Sequence, residues 1–361
     1  MLTAVGRIAF ARARLALGRR RFAHPAVDCG GLLPGAPAAR RREALAQLHG
    51  ALVVPEAPGY FIALNLDSVF PASYVERVYE LARHLHELPV EEKRQFSGGE
   101  SGQVGLSYTG ADVGKLELAY DPALVATARS WDYSPVRSGL PESLPTLPPP
   151  FEFKTDLEAL YSRQDVVARA LLPAFAEVLG LAADTFEKLF DGGDMGTIRL
   201  ISYPGDEELR PGEDNSSDVG IGPHTDFEAY TLQHQSAPGL QLMTGGGGLG
   251  ARWLDAPSGV GDFNVIIGDV LERYTNGVLR ATPHRVVRRR EPRMSVIRFN
   301  AVHPDAVVSP LDAFVTAERP RAYTSVTMRR HMETTLKNLE RGLGSWDPVS
   351  NTSTSARYVY D

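Results

Sequence analysis

The feature that most constrains the fold of this chain is a series of short, β-rich apolar segments between residues 197 and 308. Turn-forming residues separate these segments at fairly regular spacing: Thr197–Tyr203, Ala229–Gln235, Gly239–Met243, Phe263–Ile267, His284–Val287 and Met294–Phe299. Such a series is typical of an all-β sandwich or barrel. We therefore expect the chemistry of the protein to lie in a β core.

Helical patterns flank this β region on both sides. Apolar residues recur at helical spacing in four segments, 41–51, 71–88, 151–181 and 316–341, and a short strand is expected at 59–64. Residues 97–150 form a Gly/Ser/Pro-rich tract that is interpreted as a long loop, which in a compact chain is usually functional or disordered. The predicted fold class is mixed α/β.

Three regions are expected. They are a basic N-terminal arm (1–24), an α/β region with substrate-side loops (25–150), and a long helix followed by the β core and a C-terminal helix (151–361). The arm carries six arginines and no acidic residue precedes Asp28. An organelle transit peptide has this character. The absence of an apolar segment and of serine enrichment favours a helical or frayed arm.

Composition excludes several classes of partner and site. The formal net charge of the 361 residues is −6, which argues against nucleic acid as the main partner. No apolar stretch approaches the about 18–20 residues that a membrane span needs. Cys29 is the only cysteine, so any metal must be held by nitrogen and oxygen. We expect a cytoplasmic protein, and no oligomeric state is predicted.

The glycine run at 245–250 formally satisfies the dinucleotide-binding pattern G-x-G-x-x-G. That fingerprint requires a helix to begin at the last glycine, so that its N-terminus can hold the pyrophosphate. Residues 251–257 instead indicate a strand and a turn. The run is interpreted as a glycine-rich hairpin loop.

The pattern His-x-Asp occurs twice, at His224-Thr225-Asp226 and at His303-Pro304-Asp305. Residues i and i+2 of a strand point to the same face, so the pattern can place an imidazole beside a carboxylate. Proline fits a strand interior poorly, which disfavours the second copy. The first copy opens a predicted strand over 225–235. The His84-Leu85-His86 sequence lies in a predicted helix and is expected at the surface.

A third metal ligand is expected from another strand. His284 is the first residue of the β-rich segment His284–Val287. Two histidines and one carboxylate with open coordination positions form the facial triad of non-haem Fe(II) oxygenases. Further along, Arg293 and Ser295 share one strand face. Together they can hold a carboxylate through a bidentate guanidinium and a hydroxyl.

Residues 196–310 resemble the isopenicillin N synthase-like branch of the Fe(II)/2-oxoglutarate-dependent dioxygenases. The matching segments are Gly222–Phe227, Leu232–Gln235, Pro238–Gln241, Ile267–Gly277, Thr282–Val286 and Arg293–Ser295. The resemblance extends more weakly to Val27–Cys29, which matches the first strand of the family, and to Gly59–Phe61. It covers most of the chain from about residue 25.

The resemblance implies a double-stranded β-helix (jelly-roll) core and oxidation of an unactivated C–H bond of a small-molecule substrate, with Fe(II) as cofactor and 2-oxoglutarate and O₂ as cosubstrates. It implies that His224, Asp226 and His284 bind iron. Arg293, Ser295 and Tyr203 would contact 2-oxoglutarate. Substrate contacts are expected at Phe227, Phe299 and Tyr108, and no catalytic residue is expected beyond the metal ligands.

The chain departs from the family pattern at three positions. Ile201 stands where relatives often carry an asparagine, so one polar contact to the cosubstrate is absent. Arg298 and Asn300 interrupt an apolar strand, and strand parity turns them away from Arg293 and Ser295. They are expected to reach solvent or another element.

Three alternative functions stay open. An oxidase of the same fold would need no 2-oxoglutarate, a catalytically silent protein would only bind a small molecule, and a zinc hydrolase would require a general base. The substrate pocket is expected to involve the 97–120 loop. The acidic segment 205–219 is a candidate lid or a solvated loop.

Overall fold

The structure is a computed structural model that describes residues 24–97, 105–115, 127–134, 140–141, 143–191, 193–209, 214–244, 252–259, 261–341, 346–347 and 352–353. Most of the basic arm and much of the 97–120 loop lie outside these ranges, as does the glycine run at 245–250. The side chains of 210–219 are also outside the description. The predictions for these segments therefore stay predictions.

The α-helices of the described residues are α1 (Ala38–Leu52), α2 (Ala72–Glu87), α3 (Val90–Arg94), α4 (Phe153–Val178), α5 (Asp269–Tyr274) and α6 (Met328–Glu340). The long predicted helix at 151–181 is confirmed as α4. The C-terminal helix begins later than predicted, because Pro320 precedes a non-helical segment and Thr327 caps the helix by accepting a hydrogen bond from the Arg330 backbone N–H.

Twelve strands of the described residues form two sheets. They are β1 (Ala26–Asp28), β2 (Tyr60–Leu64), β3 (Leu106–Thr109), β4 (Arg129–Tyr133), β5 (Thr197–Tyr203), β6 (Asp214–His224), β7 (Tyr230–Gln235), β8 (Leu240–Thr244), β9 (Arg252–Asp255), β10 (Phe263–Ile267), β11 (His284–Arg289) and β12 (Arg293–Asn300). The large sheet has the order β1-β2-β10-β7-β12-β5-β4-β3, and the small sheet has the order β6-β11-β8-β9. Short pairs at Val307–Val308 with Val326–Thr327 and at Trp346–Asp347 with Thr352–Ser353 lie outside both sheets.

The two sheets confirm the β core expected from the short apolar segments. All six segments begin and end within two residues of the boundaries of a strand. The prediction that 97–150 is one long loop is wrong in part, because β3 and β4 pair with each other and extend the large sheet beyond β5. Trp131 and Tyr108 are buried there in a ring contact, so burial compensates for the weak strand pattern.

Helix α4 covers the face of the large sheet that points away from the small sheet. Its apolar stripe, which includes Leu157, Leu160 and Leu171, belongs to the main hydrophobic core. The Tyr230 hydroxyl of β7 donates to the Ala168 carbonyl of α4 at 2.7 Å. The opposite face of the large sheet is left to the small sheet, and the space between them contains the site described below. No helix among the described residues is long and apolar enough to cross a membrane.

Candidate metal centre and cosubstrate site

His224 and His284 face each other between the two strands β6 and β11. His224 is the last residue of β6, His284 is the first residue of β11, and their Cα atoms are register partners. The prediction that His224-Thr225-Asp226 opens a strand is wrong in its local geometry. β7 begins only at Tyr230, and Asp226 lies in the bend between the two strands.

The bend nevertheless brings the Asp226 carboxylate to both imidazoles. Its Oδ1 atom lies 3.5 Å from His284 Nε2 and 3.9 Å from His224 Nε2. One potential ligand atom from each residue lies within 4.8 Å of the others, and all three side chains are buried. These residues are the one group of three or more potential metal ligands among the described parts of the chain. The predicted triad is therefore assembled in space.

Both histidines are oriented by the backbone two residues earlier. His224 Nδ1 lies 2.8 Å from the Gly222 carbonyl oxygen, and His284 Nδ1 lies 3.0 Å from that of Thr282. A carbonyl oxygen can only accept, so each Nδ1 carries the proton and donates. In the neutral form of each ring, the lone pair is therefore on Nε2, the atom that faces Asp226. Orientation of ligating histidines through their second nitrogen is a general property of metal sites.

Asp226 is held as an anion. Burial alone would raise the pKa of this carboxyl group, but the facing His284 and His224 and a hydrogen bond from Thr231 Oγ1 to Asp226 Oδ2 lower it to about 2. Burial lowers the pKa of His224 to about 3, and the adjacent His284 acts in the same direction. The group therefore offers a carboxylate and a neutral imidazole, which are the protonation states that bind a divalent cation.

Two neighbouring helices hold the bend that carries Asp226. The first residues of α5 donate from the backbone N–H groups of Asp269 and Val270 to the carbonyl oxygens of Asp226 and Glu228, at 2.9 and 3.1 Å. From α6, His331 Nε2 lies 3.0 Å from the carbonyl oxygen of Phe227. Sequence reasoning missed His331, because no local pattern distinguishes it from a core histidine.

An open cavity of about 510 Å³ lies beside the three residues and is lined by both sheets. Apart from the triad, it is lined by Arg199, Ile201, Tyr203, Ile221, Thr231, Gln233, Leu240, Ile266, Val286, Ile297 and Phe299. Most of these side chains are apolar, so the site is suited to excluding water.

Of the predicted cosubstrate residues, Tyr203 of β5 lines this cavity, whereas Arg293 and Ser295 lie on the adjacent strand β12 and are not among the lining residues. Arg293 is paired in register with Tyr203, and its guanidinium carbon lies 4.3 Å from the Tyr203 ring centroid. Arg293 Nη2 donates to Ser295 Oγ at 2.6 Å and to Gln235 Oε1 at 3.0 Å. The structure thus brings Arg293, Ser295 and Tyr203 together. Gln235 is an additional contact that sequence reasoning did not assign to this group.

The predicted substrate residues are not all in one place. Phe299 lines the cavity, whereas Phe227 is buried but is not among the lining residues. Tyr108 is fully buried in β3, and its hydroxyl donates to the Asp112 carboxylate. Substrate contact by Phe227 and Tyr108 stays a prediction. His303, in the second His-x-Asp copy, accepts a hydrogen bond from the Asp305 backbone N–H outside the strands.

The departures from the family pattern have structural explanations. Ile201 lines the cavity and is the register partner of Ser295, so no polar atom reaches Ser295 from that side chain. Arg298 reaches another element, as expected. Its Nη2 lies 3.3 Å from Asp165 of α4, and its guanidinium carbon lies 3.6 Å from the Tyr161 ring centroid. The expectation that the 84–86 histidines are at the surface is wrong for His86, which is buried and contacts the Leu200 carbonyl oxygen.

Comparison with known proteins agrees with this geometry. Residues 197–301 match the family described as the 2OG-Fe(II) oxygenase superfamily. A homoarginine-6-hydroxylase of Glycine max is 30% identical over 259 residues, which cover 68% of this chain and 75% of that protein. The chain belongs to this superfamily. It is a 2-oxoglutarate-dependent oxygenase, with Fe(II) as cofactor and 2-oxoglutarate as cosubstrate.

Two further proteins are similar over most of their length. Gibberellin 20 oxidase 1-D of Triticum aestivum is 29% identical over 344 residues, 91% of this chain and 86% of that protein. A full-length Neurospora crassa protein, solved in complex with alpha-KG and thymine, has a TM-score of 0.66 at 23% identity. The alignment covers 86% of this chain and 97% of that chain. The expected jelly-roll fold is confirmed.

Proposed function

We propose that His224, Asp226 and His284 bind the catalytic iron of this oxygenase and that Arg293, Ser295 and Tyr203 bind its 2-oxoglutarate. The observation that carries the proposal is the buried cluster of two imidazole nitrogens and one carboxylate oxygen, all within 4.8 Å, beside an open cavity. Three protein ligands on one side of a metal leave its other positions accessible to small ligands.

The surroundings of Arg293 fit a bound dicarboxylate. The guanidinium is buried, and its Nε and Nη1 atoms have no hydrogen-bond partner among the described residues. Burial also lowers the pKa of Arg293 from its usual value. A buried charged group with unsatisfied donors is costly, and a carboxylate can accept hydrogen bonds from the N–H groups of a guanidinium. The distal carboxylate of 2-oxoglutarate would supply the hydrogen-bond acceptors and the negative charge that these donors lack.

In this family the iron and 2-oxoglutarate together supply the oxidising power, with release of succinate and CO₂. The residues of this chain then have three tasks: to orient the cosubstrate, to hold a target C–H bond near the metal and to exclude water. Ile221, Leu240 and Val286 of the small sheet and Phe299 of the large sheet make the cavity largely apolar. Phe299 lies farther along β12 from Arg293 than Ser295 does, so we assign it to the substrate side.

The substrate class is a small molecule. The cavity lining supports this assignment, because small-molecule sites combine mostly apolar side chains with a few polar groups. The relatives point the same way, since their names concern homoarginine and gibberellin. The reaction is oxidation of an unactivated C–H bond, by hydroxylation, desaturation or ring formation. A cytoplasmic location and the absence of a nucleic-acid partner stay predictions.

The test is a succinate-release screen. Protein loaded anaerobically with Fe(II) is mixed with 2-oxoglutarate, O₂ and a panel of small molecules, and succinate and oxygen consumption are measured. Release of succinate in equal amount to the O₂ consumed, lost in the Asp226→Ala variant, supports the proposal. Full turnover without 2-oxoglutarate favours the oxidase. Metal stoichiometry near zero favours the silent binding protein, and activity with Zn(II) favours the hydrolase.

A further inference from the structure

A chain of buried polar side chains crosses three adjacent strands of the large sheet and ends at Ser295. Asn264 of β10 donates from Nδ2 to Gln233 Oε1 at 2.9 Å. Gln233 of β7 donates from Nε2 to Ser295 Oγ of β12 at 3.2 Å. All three side chains are less than 5% exposed, and Gln233 also lines the cavity beside the metal ligands.

The direction of these hydrogen bonds determines what the Ser295 hydroxyl can do. A serine hydroxyl has two acceptor lone pairs and one proton to donate. Ser295 Oγ accepts from Arg293 Nη2 at 2.6 Å and from Gln233 Nε2 at 3.2 Å. Both lone pairs are therefore used, and the proton of Ser295 must point in a third direction. In this arrangement Ser295 is a donor.

We propose that Asn264 and Gln233 are positioning residues that fix Ser295 as a hydrogen-bond donor to the distal carboxylate of 2-oxoglutarate. The inference rests on the proposed function, which places that carboxylate beside Arg293 and Ser295. Asn264 contributes by occupying Gln233 Oε1, so that the amide nitrogen of Gln233, and not its oxygen, faces Ser295.

The surroundings explain why the support comes from β7. On β5, the register partner of Ser295 is Ile201, which offers no polar atom. The register partner of Gln233 on β12 is Ile297, which also offers no polar atom. An amide buried in such a place is costly unless it is fully hydrogen-bonded. Packing alone would be served equally well by an apolar residue, so the amide requires another explanation.

The proposal predicts different outcomes for two substitutions at one position. Gln233→Leu removes the donor and allows the Ser295 proton to rotate away. Gln233→Glu keeps the shape but reverses the polarity, because a carboxylate accepts the Ser295 proton and repels the incoming carboxylate of the cosubstrate. A purely structural role would not distinguish the two variants by their affinity for 2-oxoglutarate.

The test is calorimetric titration of 2-oxoglutarate into Co(II)-loaded protein, with the visible Co(II) spectrum and thermal unfolding as checks of metal site and fold. We expect Gln233→Leu to raise the Kd for 2-oxoglutarate about five- to tenfold. Asn264→Leu should raise this Kd about two- to threefold. Gln233→Glu should raise it on the order of a hundredfold. In a Ser295→Ala background, Gln233→Leu should have no further effect.

Gln164→Leu is the matched control, since this buried glutamine of α4 lines a separate small cavity with His234, on the other face of the large sheet. Its Kd should equal that of the unmodified protein. A Kd within twofold of normal for both Gln233 variants overturns the inference, and so does an equally large Gln233→Leu effect without the Ser295 hydroxyl. Failure of the unmodified protein to bind 2-oxoglutarate would instead refute the proposed function.

Discussion

His224 and His284 are register partners on adjacent antiparallel strands, and the centroids of their rings lie 4.2 Å apart. The two rings are tilted by 53° and both present Nε2 to the same carboxylate oxygen of Asp226. A metal bound there would link the two strand ends to the following bend. The orientation of the rings comes from backbone carbonyls and therefore does not depend on the metal.

Replacement of a single ligand should abolish metal binding without unfolding the chain. We expect His224→Ala and Asp226→Ala to lose Fe(II) binding and turnover, because the two remaining protein ligands bind a divalent cation too weakly. Isothermal titration with Fe(II) under anaerobic conditions and circular dichroism measure the two effects. His303→Ala is the control, since His303 lies outside the strands and contacts Asp305. Equal losses in His303→Ala would contradict the choice of triad.

Thr231→Val should weaken metal binding while keeping all three ligands. Thr231 Oγ1 donates to Asp226 Oδ2, and this contact orients the carboxylate and keeps its charge in place. Loss of an outer contact of this kind typically costs about 10–100-fold in metal affinity. Competition with a chelator of known affinity measures the change. An unaltered affinity would show that the bend alone positions Asp226.

Arg293→Leu should raise the Kd for 2-oxoglutarate by on the order of a hundredfold or more, with metal affinity little changed. Removal of one partner of a buried charge pair costs roughly 3–5 kcal/mol, and each 1.4 kcal/mol is about tenfold. Arg293→Lys should recover only part of the loss, because an ammonium cannot form the bidentate contact. Ser295→Ala should be milder. Titration of 2-oxoglutarate into Co(II)-loaded protein gives the Kd of the unmodified protein and of each of the three variants.

Arg298→Leu should lower the stability of the fold and leave the affinity for 2-oxoglutarate unchanged. Arg298 lies on the same strand but faces α4. Its guanidinium lies 3.3 Å from Asp165 of that helix and 3.8 Å from Asp194, which precedes β5. Arg298 is 1% exposed, and its loss leaves Arg169 as the remaining cation beside Asp165 and Asp194 among the described residues, so we expect a cost of up to roughly 3–5 kcal/mol of folding free energy. Chemical denaturation should show this loss, whereas the folded protein should bind 2-oxoglutarate normally. Weakened cosubstrate binding would contradict the strand register.

The strand pattern and the spacing of the ligands could be predicted from the sequence because they are local. Thr197–Tyr203 and Phe263–Ile267 are strands with the predicted bounds, since β-branched and aromatic residues between turn-forming residues favour strands wherever they are packed. The parity of β12 also follows from sequence alone. Successive side chains alternate between faces, which separates Arg293 and Ser295 from Arg298.

Only the tertiary structure decided the features that depend on contacts between distant segments. β3 and β4 are strands because each pairs with a neighbour and buries Tyr108 and Trp131, not because their own sequence is strongly strand-like. Asp226 lies in a bend and still reaches both imidazoles, because α5 and His331 hold that bend. The direction of each hydrogen bond to Ser295 depends on Asn264 and Gln233 from two other strands. A sequence specifies local preferences, whereas the partner of a buried polar group is chosen by the packing of the whole chain.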